Sequence, residues 1–240
     1  MHKIALCFSG LPRLHVGTVA NWSKFLENHD VDVFVHTWRT DTAAIDVISD
    51  LFRPKVMQVD DLKPQNVSLY TSRVWPHRST PNNVMSMWNS IHNSIHLCNE
   101  WAIEKSIEYD IVCRTRFDWM FDTIDFEVND TVTVPYDMEL YRHRFDFAGQ
   151  PRVAHNDQFG YGHMKHMLSY ADTYHNIPRL YASGVDFCSE LLLTAHLIEL
   201  NIDITFDKTI THWIEHGKTS SLYNSLERTG TLRTMGLEHR

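Results

Sequence analysis

Long apolar runs are missing from this chain. No stretch approaches a bilayer span, and no leader-like segment precedes the first apolar run, so the expected setting is intracellular and cytoplasmic. Paired cysteines are missing as well. Cys7, Cys98, Cys113 and Cys188 are scattered, form no CxxC pair and sit among apolar neighbours, so they read as reduced core thiols. Basic charge is scarce: 22 Lys+Arg against 30 Asp+Glu give a net charge of −8, which argues against nucleic acid or an anionic membrane as partner. A local basic pocket stays compatible with that balance. There is no internal repeat, low-complexity tract or linker composition, so the 240 residues read as one domain. The 43% hydrophobic and 22% charged content is that of an ordinary globular protein.

What is present is alternation of strand and helix. Lys3 to Phe8 reads as a buried first strand, stopped by Ser9-Gly10-Leu11-Pro12-Arg13, and Val19 to Leu26 as a helix. Strands over Val31 to Val35 and Lys55 to Val59 bracket a helix over Ala43 to Leu51. A long amphipathic helix from Val84 to Lys105 leads into a strand beginning at Ile111. Further on, Thr131 to Val134, Phe145 to Ala148 and Ile202 to Phe206 read as strands, and Met164 to Tyr174 and Val185 to Leu200 as helices. This order predicts an α/β fold: a mainly parallel central sheet flanked by helices. About 1–118 form a nucleotide-type half, and about 119–240 a more irregular half with a mixed tail.

The most informative stretch is Ile111-Val112-Cys113-Arg114-Thr115-Arg116-Phe117-Asp118. An apolar strand ends abruptly in two arginines and an aspartate, and side chains two apart on a strand share a face. Buried guanidiniums need partners, so this end of the strand faces either an anion or an internal salt-bridge cluster. In open α/β sheets the carboxyl end of the strands is where ligands sit. Arginine grips phosphate bidentately and aspartate is a hard-cation ligand, which suits a diphosphate with a divalent cation.

Several segments, taken in order, resemble glycosyltransferase-like proteins of the GT-A fold, of the bacterial and phage kind associated with surface-polysaccharide synthesis. They are Ile4 to Arg13, Asp32 to Trp38, Ser86-Met87 with Ser90-Ile91, Tyr109 to Asp118, Asp157-Gln158-Phe159, and Ser189 to Leu192. The resemblance implies a single GT-A-like domain with a nucleotide-sugar donor across the carboxyl edge of the sheet and a saccharide or glycan acceptor beside it. Ser9, Gly10, Arg13, Arg114, Arg116 and Asp118 would bind the donor. Arg116-Phe117-Asp118 stands in the place of the family's metal-carrying DxD motif, with Arg116 where the first aspartate belongs. Asp118 would hold any Mn²⁺ or Mg²⁺, with His212 as a second ligand after the last strand.

Each residue also has a plainer reading. Ser9 to Arg13 is either a donor-binding loop or an ordinary Gly-Pro turn with a solvated arginine. Asp157, among amides and aromatics, suits sugar hydroxyls or an Asx-turn. Glu190 matches the acidic position of the helix lining GT-A acceptor sites, where it, or Asp157, would serve as general base if the transfer inverts, a retaining outcome staying open; an exposed helical glutamate has the same signature. Among the sixteen histidines, His92 with His96 and His212 with His216 have i,i+4 spacing but lack the HExxH glutamate. They read as surface or capped histidines, not a zinc hydrolase. Trp119 reads as core or as a stacking platform. Besides sugar transfer, two functions stay open: a non-catalytic nucleotide- or glycan-binding module, and a nucleotidyl or phosphoryl transferase.

Overall fold

The computed structural model describes residues 2–65, 67–71, 80–136, 144–147, 150–207, 210 and 212–214, with backbone alone at 144–147, 150–151 and 212–214. The first half delivers β1 (Lys3–Gly10), α1 (Val16–Asn28), β2 (Asp30–Trp38), α2 (Thr42–Phe52), β3 (Val56–Asp60), α3 (Pro81–Lys105) and β4 (Ile111–Thr115). The second half delivers β5 (Trp119–Phe121), β6 (Val132–Pro135), β7 (Arg144–Phe147), β8 (Gln150–Val153) and β9 (Gly160–Gly162). There follow α4 (Met164–Ala171), α5 (Thr173–Ala182), α6 (Ser189–Glu199), β10 (Ile204–Asp207) and β11 (His212–Ile214).

Seven strands form one sheet in the order β10-β6-β9-β4-β1-β2-β3. The pairs β1–β2, β2–β3, β1–β4 and β6–β10 are parallel, and β9 runs antiparallel between β4 and β6. The expected α/β architecture, with a mostly parallel sheet between helices, is therefore present. Alternation along β1 sorts the core into two layers. Ile4, Leu6 and Phe8 pack with Trp22 and Ile48 beneath α1 and α2, while Ala5 and Cys7 pack with Trp88, Ile91 and Ile95 of α3. All four cysteines are free and buried. Trp119 is fully buried and stacked on Phe159 at 4.3 Å, so it belongs to the core. Among the described residues no helix is long and apolar enough to cross a membrane.

Helix ends follow local chemistry. Asp41 accepts from the Ala44 amide at the start of α2, and Thr80 with Pro81 opens α3. Two departures from the sequence reading stand out. The helix expected from Met164 to Tyr174 breaks at Asp172 into α4 and α5, and the one expected from Val185 begins only at Ser189. Pro178 inside α5 hid that helix, whose apolar face (Ile177, Leu180) is nevertheless fully buried. β9 escaped notice because it has three residues, two of them glycine. At Gly162 a Cβ would lie 2.7 Å from the Thr131 carbonyl, so that close strand crossing requires glycine. The strand expected over Phe145 to Ala148 is β7, paired with β8 in a separate hairpin, and Ala148 lies outside the described residues.

Candidate functional site

Chain order around β1 makes the site. The chain runs β1-β2-β3 outward to one side, then returns through α3 to place β4 on the other side of β1. The carboxyl ends of β1 and β4 thus flank a topological switch point, where open sheets form a crevice. Register brings Phe8 opposite Thr115, and Ser9 Oγ reaches the Thr115 carbonyl at 3.4 Å.

A pocket of about 330 Å³ opens there. Ser9, Gly10, Arg13, Arg114, Arg116 and Asp118 all line it. Trp38 and Met87 add apolar wall, and Asn83 and Ser86 of α3 add polar groups. Three guanidiniums against one carboxylate give the pocket a positive surplus in a chain of net charge −8. A roomier hollow of about 570 Å³ lies at the amino end of β4, beside Ala102, Tyr109 and Lys165. It gathers fewer strand-end charges and sits at the wrong end of the sheet for the switch-point rule.

Arg116 and Asp118 form a bidentate pair. Arg116 Nε donates to Asp118 Oδ1 at 2.7 Å and a terminal nitrogen donates to Oδ2 at 2.8 Å. Burial opposes the Arg116 charge, but Asp118, with Asp157 and Glu190 farther off, outweighs it and leaves the pKa raised. Arg13, largely exposed, adds a weaker contact at 3.9 Å from Asp118. The internal salt-bridge alternative is thus realised within the same pocket that the ligand alternative required.

Arg114 is fully buried and donates to the Asp157 carbonyl, while its Nε has no protein partner. Burial lowers its pKa and Arg116 adds to that, against Tyr170, Asp157 and Asp118. Guanidinium stays charged at any ordinary pH, so this is a fixed cation short of partners. Asp157 lies behind it: 5% exposed, with its carbonyl also accepting from Tyr170 at 3.1 Å and its carboxylate accepting from Ser189 Oγ. The Asx-turn, the plainer alternative at Asp157, forms one residue earlier, where Asn156 Oδ1 accepts from the Gln158 amide. Glu190 occupies the first turn of α6, half-buried, and its Oε2 accepts from Cys188 Sγ at 2.9 Å.

Sequence reading missed the clamp that shapes the β1 loop. Gly10 has φ +105, a conformation suited to glycine. Its amide donates to Ser90 Oγ at 2.7 Å, and Thr37 Oγ1 donates to its carbonyl at 2.9 Å. The Gly10 amide is therefore engaged by α3 and not turned toward an anion. Ser90 also donates to the His36 carbonyl at 3.0 Å and meets His36 Nδ1 at 2.8 Å, with Asn93 on the other ring nitrogen at 3.1 Å. His36 is fully buried, and burial lowers its pKa against the pull of Asp60. Gly10→Ala is expected to cost about 1–2 kcal/mol, read as a fall in the urea midpoint, because a Cβ there meets no neighbour and only the backbone conformation is penalised.

A divalent cation does not fit the pocket as built. Both Asp118 oxygens serve Arg116, and a hard cation wants several oxygen ligands. Among the described residues, no group of three metal-ligating side chains gathers there. His212 pairs through its backbone with Phe121 on β5, and its side chain lies outside the described residues, as does His216. No family model matches this chain, and no curated protein matches it.

Proposed function

We propose that the protein transfers a sugar from a nucleotide-diphosphate donor to a saccharide acceptor, as a GT-A-like glycosyltransferase of surface-polysaccharide type. One observation carries this reading: a pocket with a surplus of guanidinium charge at the carboxyl-end switch point between β1 and β4. A mixed sheet in which one antiparallel strand extends a parallel β3-β2-β1-β4 block suits a GT-A domain. Arg13, Arg114 and Arg116 offset the donor's diphosphate charge, and they do more as the glycosidic bond breaks and charge builds on the leaving phosphate. The acceptor hydroxyl oxygen bonds the anomeric carbon, the bond to phosphate breaks with its electron pair leaving on the diphosphate, and Glu190 takes the hydroxyl proton. Asp157 positions Arg114 from behind. Charge neutralisation by arginine makes a cation unnecessary for donor binding.

The test is calorimetry with nucleosides, nucleoside diphosphates and nucleotide sugars, in EDTA and in Mn²⁺. A matching diphosphate is expected to bind at least tenfold tighter than its nucleoside, a gap of about 1.4 kcal/mol or more. EDTA is expected to change that affinity by less than about threefold, since guanidiniums and not a metal meet the phosphates. Equal affinity for nucleoside and diphosphate would remove the phosphate assignment. The Arg116–Asp118 tie favours one rival, a binding module without turnover, because it occupies the one carboxylate that lines the pocket among the described residues. Release of free nucleotide from a nucleotide sugar, dependent on a glycan acceptor, separates the two.

A further inference from the structure

The i,i+4 pair on α3 acquires partners that its spacing could not reveal. His92 and His96 lie with ring centroids 4.1 Å apart, their planes tilted by 43°, and the corner between α4 and α5 brings Asp172 against both. One oxygen, Asp172 Oδ1, lies 3.6 Å from His92 Nδ1 and 3.7 Å from His96 Nε2. Those separations are too long for hydrogen bonds. Both nitrogens are themselves buried and have no hydrogen-bond partner. Three possible ligand atoms therefore converge within 4.8 Å of one another. In a neutral imidazole the unprotonated nitrogen is an acceptor, and a carboxylate oxygen only accepts, so with both lone pairs turned inward the group presents three donor atoms to a cation.

We infer that His92, His96 and Asp172 form a binding site for a first-row divalent transition metal, Zn²⁺ above all, that clamps α3 to the α4–α5 corner. Bonds of about 2.0–2.2 Å set ligand atoms about 3.3 Å apart in a tetrahedron, so the two separations from Asp172 Oδ1 need to close by a few tenths of an ångström. Two imidazoles and a carboxylate suit zinc better than a hard cation. Three protein ligands leave the fourth position to water. His175 completes the arrangement from α5: its Nε2 lies 3.2 Å from His92 Nε2. With His92 donating there, the lone pair falls on Nδ1, the atom facing Asp172. The site is separate from the pocket above. His92 lies more than a helical turn beyond Met87, the nearest α3 residue of the pocket lining.

The experiment uses untagged full-length protein stripped with EDTA and dialysed. It is titrated with Zn²⁺ by calorimetry and with Co²⁺ by visible absorption, followed by thermal melts. One equivalent of Zn²⁺, a four-coordinate Co²⁺ spectrum and a metal-dependent rise in Tm are expected. His96→Gln and Asp172→Asn, at part-exposed positions, are each expected to weaken binding at least tenfold and abolish the rise in Tm. His175→Ala should weaken it about 10–100-fold through loss of the outer hydrogen bond. His166→Ala, near Asp130 on α4, is the control and should change nothing. Circular dichroism checks folding, and the His96→Gln/Asp172→Asn pair is read together. Wild-type affinity in that double variant, or no one-equivalent binding by the parent protein, overturns the assignment.

Discussion

Arg116→Ala is expected to cost about 3 kcal/mol of folding stability, at the lower end of the range for breaking a buried ion pair. Removing the guanidinium leaves Asp118, only 3% exposed, without its two hydrogen bonds of 2.7 and 2.8 Å. Arg13 remains 3.9 Å away and softens the loss, but its own exposure makes it a poor substitute. Asp118→Leu alone should cost a similar amount by orphaning Arg116. The double replacement Arg116→Met/Asp118→Leu should return to within about 1 kcal/mol of the parent, since apolar residues of similar volume often replace buried ion pairs without penalty. Urea denaturation of the parent, Arg116→Met, Asp118→Leu and the double variant closes this cycle. The double variant should meanwhile lose diphosphate affinity even though it folds. Stability and donor binding falling together in every variant would show that Arg116 serves the fold alone. A single substitution costing under about 1 kcal/mol would show the pair is not held as described.

Glu190→Gln is expected to slow sugar transfer by about 10²–10⁴-fold while leaving donor affinity nearly intact. The amide keeps the size and the hydrogen-bond acceptor facing Cys188 Sγ, and loses the capacity to take a proton. Asp157→Asn should behave differently. Its carboxylate is buried against Ser189 and its carbonyl meets Arg114, so the change should appear in donor binding before it appears in the chemical step. Single-turnover transfer with donor binding measured alongside separates the two. Wild-type rates in Glu190→Gln combined with a slow chemical step in Asp157→Asn would exchange their roles. Wild-type rates in both would end the general-base assignment.

Much of this was legible because strand ends write themselves plainly. The passage from Ile111-Val112-Cys113 into Arg114, Arg116 and Asp118 located one wall of the pocket, and Ser9-Gly10 with Arg13 located the other. Joining them needed only the rule that sequential α/β strands place ligands at their carboxyl ends. What sequence could not show was pairing between distant segments. Ser90 and His36 lie 54 residues apart, yet one hydroxyl joins both to Gly10. The Arg116–Asp118 pairing was open because a strand end fits a ligand and an internal partner equally well. Asp32 and Tyr109 also meet, at 2.7 Å, but at the amino end of the sheet with Lys3 and Lys55, where the group ties strands together. The histidines show the same limit: spacing put His92 and His96 on one face, but it could not show Asp172, which meets both from the corner between α4 and α5.

The four thiols give the protein a clock for its own opening. Only the thiolate reacts with disulfide reagents, and burial holds Cys98, Cys113 and Cys188 in the thiol form. Labelling therefore waits on a fluctuation that admits water. Cys7 and Cys113 sit in adjacent central strands with Cys98 on the helix above them, so their modification times the loss of the sheet itself. Cys188 stands just ahead of α6 beside Glu190, and its modification times motion at the proposed acceptor side. Comparing the two rates in a single denaturant-free time course would separate breathing of the proposed acceptor side from unfolding of the scaffold.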